Sequence, residues 1–144
     1  MKARKQLVYS LDDLKVVAQE LAKMLEKVSI MTFTGSLGAG KTTLVREVLK
    51  ASGVIDMITS PTFTYVNIYK NQRGRTFYHF DLYRIESLED FVAAGFNEYL
   101  YASDSAVLIE WPELIMPLLT HDVCQVAIEY HENPEQRVLH VMCK

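Results

Sequence analysis

The chain has 144 residues, 49% of them apolar and 23% charged, which fits a single globular domain over residues 1–144 with one core and excludes a disordered chain. No apolar run reaches the ~18 residues of a membrane span, and the opening MKARKQLVYSLDDL lacks the apolar stretch of a signal peptide, so a cytoplasmic location with no membrane contact is expected. The net charge of −3 and a pI of about 5.8 argue against a surface that binds RNA tightly by itself.

Lys2, Arg4 and Lys5 form a short basic cluster that reads as a solvated tail or a contact arm. Ser10-Leu11-Asp12-Asp13 has capping-box form, with Ser10 as N-cap and Asp13 three residues on. Leu11, Leu14, Val17, Ala18, Leu21, Leu25 and Val28 then recur at helical spacing, which predicts an amphipathic helix with its stripe on a sheet. Residues 28–34, VSIMTFT, are short, apolar and rich in β-formers, as in a buried strand. GSLGAGKT follows at once over residues 35–42, and residues 43–49 predict a helix ending near Gly53.

Pro61 breaks the chain. Phe63, Tyr65, Asn67 and Tyr69 alternate with Thr64, Val66 and Ile68, a turn follows at Asn71-Gln72-Arg73-Gly74, and residues 76–82 supply a second strand. A hairpin is therefore expected over 62–83. Ser87-Leu88-Glu89-Asp90 again has capping-box form and opens a short helix that Gly95 interrupts or ends. Residues 106–109 form an apolar strand running into Glu110-Trp111-Pro112, and residues 123–130 and 137–141 form a last hairpin. A turn at Asn133-Pro134 places Cys124 and Cys143 nearly opposite; with no C-x-x-C, a zinc site is not expected, and in a cytosolic protein both read as free, packed thiols. The order of elements predicts an α/β fold, with a mixed sheet, helices on its faces and antiparallel hairpins at its edges.

GSLGAGKT matches G-x-x-x-x-G-K-[ST]. Its glycines allow positive φ, so successive N–H groups can face inward, and the following helix adds its positive N-terminal end. A nucleotide cradled by residues 35–43 follows. Lys41 is placed to reach the β- and γ-phosphates, and the Thr42 hydroxyl to ligate Mg²⁺. Such a site needs acids. Glu110 ends an apolar strand and is read as the Mg²⁺ partner, directly or through water, with an exposed strand-end glutamate as the plain alternative. In Tyr78-His79-Phe80-Asp81-Leu82-Tyr83-Arg84, His79 and Asp81 share a face. They either position a water or a metal-bound water, or form a polar stripe on an edge strand. Thr62 in Ser60-Pro61-Thr62 is either a γ-phosphate sensor or a turn hydroxyl. Trp111 is a partner anchor, a local stacking group or a core residue.

GSLGAGKTTLVR, SPTFTYVNIY, YHFDLYRI and EWP, in this order and spacing, resemble the bacterial TsaE (YjeE) ATPases over about residues 10–130. The resemblance implies a compact P-loop NTPase fold with a mostly parallel sheet, and a weak, Mg²⁺-dependent ATPase that serves threonylcarbamoyladenosine formation in tRNA. It implies Gly35, Leu37, Gly38, Ala39, Gly40, Lys41, Thr42 and Thr43 around ATP. Thr42 and Glu110 then lie at Mg²⁺, with Asp81 near the γ-phosphate and its water. Lys41, Asp81 and Glu110 become the catalytic set, and Thr62, His79, Arg84 and Trp111 become switch or partner candidates. It also implies a pocket wall from Ser10 and Arg137. Its implied partners are a threonylcarbamoyl transferase subunit (TsaD) and its companion (TsaB), with tRNA reached through that complex. A small-molecule kinase is the alternative, but no arginine-rich lid follows the loop: Arg73 and Arg75 flank a turn. A GTPase would need an N-K-x-D segment, which the sequence lacks.

Overall fold

The computed structural model describes residues 3–61 and 64–144. The strands are β1 (Ala3–Ser10), β2 (Ile30–Gly35), β3 (Val66–Lys70), β4 (Thr76–Asp81), β5 (Ser105–Glu110), β6 (Val123–Tyr130) and β7 (Gln136–Cys143). They make one seven-stranded sheet in the order β1-β7-β6-β2-β5-β4-β3. The four middle strands β6, β2, β5 and β4 run parallel. β7 and β1 extend one side antiparallel, and β3 closes the other. The two most apolar runs, β2 and β5, lie side by side in the middle, where both faces are covered.

Helices α1 (Leu14–Leu25) and α2 (Lys41–Ala51) pack on one face. Val17, Ala18, Leu21 and Leu25 meet Leu44, Val45, Val48 and Leu49 above Met31, Phe33, Leu108 and Val126. The short helix α3 (Leu88–Ala93) and 3-10 segments at Phe96–Tyr99 and Glu113–Leu118 cover part of the other face, burying Phe80, Phe91, Val107, Ile109 and Ile115. Among the described residues, no helix is long and apolar enough to cross a membrane.

Several sequence expectations need correction. The basic N-terminal segment is not a tail: residues 3–10 are β1, paired along their length with β7. Leu7 and Tyr9 reach the α1 side of the core, and Lys5 bonds Glu20 of α1. Lys2 lies outside the described residues. Leu11 leaves the helical stripe and is 76% exposed, because residues 11–13 form a 3-10 turn before α1 begins. The Ser10–Asp13 capping box is present, with Ser10 N–H donating to Asp13 Oδ2 at 3.0 Å. β3 starts at Val66, after Tyr65 at φ 66°, whereas alternation suggested an earlier start. The last hairpin runs longer than expected and bonds Cys124 to Cys143, so these are not free thiols. The two stand directly opposite in the β6–β7 register, between strands that keep Val123 and Lys144 hydrogen-bonded to each other. The Glu113–Leu118 segment, with Pro117 inside it, carries no regular sequence signal.

Candidate nucleotide site

β2 ends in the loop that opens α2, and the backbone there needs its glycines. Gly35 lies at φ 146°, and a Cβ on it would stand 2.5 Å from the Ile128 carbonyl oxygen of β6. Gly38 (φ 81°) and Gly40 (φ 106°) take left-handed conformations. Gly40 is the N-cap of α2 and carries no side-chain cap, so the first-turn N–H groups remain available to an anion.

Lys41 is only 5% exposed. Its Nζ donates to Gly35 O at 2.5 Å and Ser36 O at 3.0 Å, and lies 4.0 Å from the centre of the Trp111 ring. Burial lowers the Lys41 pKa, while Glu110, Glu113 and Asp81 pull it back up. Trp111 itself sits at φ 58° and packs against Tyr83, ring centres 4.8 Å apart.

Thr42 Oγ1 donates to Glu110 Oε1 at 2.6 Å. The other carboxylate oxygen, Oε2, is 2.6 Å from His79 Nε2. Both side chains are closed off, with His79 at 1% and Glu110 at 2% exposure. The parallel register sets Asp81 beside Glu110, and Asp81 Oδ1 accepts the Tyr83 N–H at 3.1 Å. Burial raises the Asp81 pKa and neighbouring Glu110 adds to it; the Tyr83 N–H, His79 and Lys41 oppose the rise. β4 is therefore no edge strand, and the His79–Asp81 face is no solvated stripe. β3 shields it on one side, and the face turns toward α2.

Lys41, Thr42, Asp81, Glu110, Arg84 and Trp111 line one cavity of about 370 Å³. A second, of about 490 Å³, shares Gly38, Gly40 and Thr43 with it and is bounded by Ser10, Ala39 and Arg137. Arg137 is held there by Pro134 O and Gln136 O and lies over the Tyr130 ring. Leu37 is on the loop's exposed side, its carbonyl accepting from the Tyr130 hydroxyl at 3.5 Å. A larger cavity, about 700 Å³, lies where Thr32, Gln125 and His140 line the sheet's other face, and contains no loop residue. Its charged lining, Arg4, Lys5 and Glu113, includes none of the residues that follow β2 into α2. Thr62 lies outside the described residues.

Tyr83 and Tyr9 are site residues that sequence reasoning missed. Tyr83 stood in plain view two places after Asp81, but only the fold shows it against Trp111. Tyr9 was hidden with the rest of β1, and the alternation of Leu7 with Tyr9 was the available signal. Arg73 and Arg75 lie far from the loop. Arg75 donates to Leu25 O and Ser105 O, at the opposite ends of α1 and β5 from the cavity.

The family model for the threonylcarbamoyl adenosine biosynthesis protein TsaE matches residues 8–139. A tRNA threonylcarbamoyladenosine biosynthesis protein TsaE from Rickettsia conorii is 40% identical over 123 residues, covering 85% of this chain and 69% of its own. The protein of the same name from Haemophilus influenzae is 39% identical over 120 residues, covering 83% and 75%. A crystal structure of Bacillus subtilis YdiB superimposes with a TM-score of 0.73 at 26% identity, over 99% of this chain and 87% of that one. The central parallel strands, the glycine loop running into α2 and the match along residues 8–139 agree, and the chain belongs to the TsaE family of tRNA threonylcarbamoyladenosine biosynthesis.

Proposed function

We propose that the protein binds ATP with Mg²⁺ in the cavity at the N-terminus of α2 and hydrolyses it slowly, in service of a threonylcarbamoyl transferase subunit (TsaD) and its companion (TsaB). The observation that carries this reading is the convergence of Lys41, Thr42, Asp81 and Glu110 on one cavity beside uncapped helix N–H groups. The residues fit the nucleotide and metal. The loop offers backbone donors and one ammonium to the phosphates. Among the described residues there is no group of three or more metal-binding side chains. That composition suits Mg²⁺, which takes one or two protein ligands and completes its shell with phosphate and water.

Thr42 and Glu110, already in contact, would hold the metal. Mg²⁺ would supply neutralisation of the phosphate charge when bound. Lys41 would exchange its loop carbonyls for phosphate oxygens, a better partner for a buried cation. Glu110 has both oxygens engaged, by Thr42 and His79. Asp81 has only one oxygen engaged, on Tyr83 N–H, and a pKa raised by burial, which makes it the more available carboxylate for orienting the attacking water. Ser10 and Arg137 would border the nucleoside in the adjoining cavity. The cavity stands open beside Trp111 and Tyr83, and a partner docked there would order the water and raise the rate. The kinase reading loses support because the four arginines after the loop form no common lid: Arg73 and Arg75 lie at the far end of the sheet, and Arg84 and Arg137 line separate cavities.

Steady-state phosphate release from ATP with Mg²⁺, alone and with the purified transferase pair, tests the proposal. A low rate that climbs with the pair is expected. A rate that stays flat would remove the partner-gated mechanism.

A further inference from the structure

We propose that His79 is the positioning residue that holds the Glu110 carboxylate against the Thr42 hydroxyl, so that the two ligands meet the metal already aligned. The inference rests on the reading of Glu110 as a metal-side acid and extends it to the group behind that acid.

The geometry is that of a relay with one direction. Glu110 Oε1 accepts a hydrogen bond from the Thr42 hydroxyl at 2.6 Å, and Oε2 faces His79 Nε2 at 2.6 Å. An ionised carboxylate only accepts, so His79 Nε2 must carry the proton. Nδ1 of the same ring is enclosed and has no hydrogen-bond partner among the described residues. A proton placed on Nδ1 would therefore be buried without an acceptor, whereas a bare nitrogen leaves only a lone pair unmatched. The surroundings favour the arrangement with an N–H at Nε2 aimed at Glu110.

Lys41 Nζ hydrogen-bonds the Gly35 and Ser36 carbonyls and leaves the two Glu110 oxygens to Thr42 and His79. The ring itself is fixed by the sheet: β4 pairs with β5 in parallel, placing His79 opposite Leu108 and two pairs before Asp81–Glu110. A histidine donating to a ligating carboxylate orients the ligand and tunes its basicity, and loss of such a partner typically weakens metal binding or activity by about 10–100-fold.

The test compares His79→Leu, which removes the donor at similar volume, with His79→Gln, whose amide N–H reaches the Nε2 position. Mn²⁺ serves as the probe, titrated by electron paramagnetic resonance into protein saturated with ADP. His79→Leu should weaken Mn²⁺ binding by about 10–100-fold, with metal-free ADP affinity unchanged. His79→Gln should restore Mn²⁺ binding to within about threefold of the original. In turnover, kcat should fall for the leucine variant while KM for ATP holds. Normal Mn²⁺ affinity in His79→Leu, or a glutamine variant as weak as the leucine one, would overturn the proposal. Should His79→Leu fail to fold, long-range ¹⁵N–¹H correlation on the unaltered protein decides: a protonated Nε2 with bare Nδ1 is expected, and the opposite tautomer overturns the assignment. Glu110→Gln separates the two readings. Normal Mn²⁺ binding in that variant defeats the metal role of Glu110, whereas weak binding there with normal binding in His79→Leu defeats the His79 role alone.

Discussion

Lys41 carries a buried ammonium whose partners are two carbonyls of its own loop and the face of Trp111. Phosphate oxygens would compete directly for that ammonium and release the indole. Trp111 is the chain's one tryptophan, so its emission should change saturably on adding ADP or ATP, and a flat signal would contradict this placement. Asp81 gives a second prediction. Its pKa is raised in the fold, so the native state holds this proton to higher pH than the unfolded chain does. Stability is therefore lost as pH rises through the ordinary carboxylate range toward the raised value. Asp81→Asn, which keeps the oxygen that accepts Tyr83 N–H, should raise Tm near neutral pH by about 1–2 °C, and the gain should vanish in acid. The same variant should lose at least about 100-fold in hydrolysis. A melt and a phosphate-release assay on one preparation check both. Gly35→Ala tests the backbone: its Cβ meets the Ile128 carbonyl, so about 1–3 kcal/mol of stability should go, read by denaturant unfolding.

At the level of elements, the phosphate loop, β2, α2 and the β3–β4 hairpin were legible because each has a local cause. Glycines, an apolar β-rich run, a helical stripe and a turn cluster act within a few residues. β1 was not legible because Arg4, Lys5 and Gln6 read as a solvated segment until β7 supplies its partner. Leu11 was misplaced because helical spacing cannot distinguish a 3-10 first turn from an α-helical one. The burial of His79 depends on β3 covering β4 on the outer side, which is a fact of strand order rather than of sequence. Cys124 and Cys143 illustrate the same limit. The turn placed them opposite, but their pairing rests on the β6–β7 register. Their sequence separation of 19 implies that closing this loop contributes about 3 kcal/mol by chain entropy. Intact mass without reductant should be two hydrogens light, and reductant should lower Tm; an unchanged mass would show two thiols.

Across the whole molecule, the sheet brings residues from five separate segments to the C-terminal ends of its parallel strands: the turn after β1, the loop after β2, the ends of β4 and β5, and the β6–β7 hairpin. This is where ligands gather in open α/β sheets. The central claim is that this convergence binds ATP through Lys41 and the loop. Isothermal titration of ATP in the presence of Mg²⁺, on the unaltered protein and on Lys41→Ala, tests it most directly. Saturable one-to-one binding that weakens at least about 100-fold in the variant is predicted, corresponding to about 3 kcal/mol. Equal affinity in the two proteins would contradict the account.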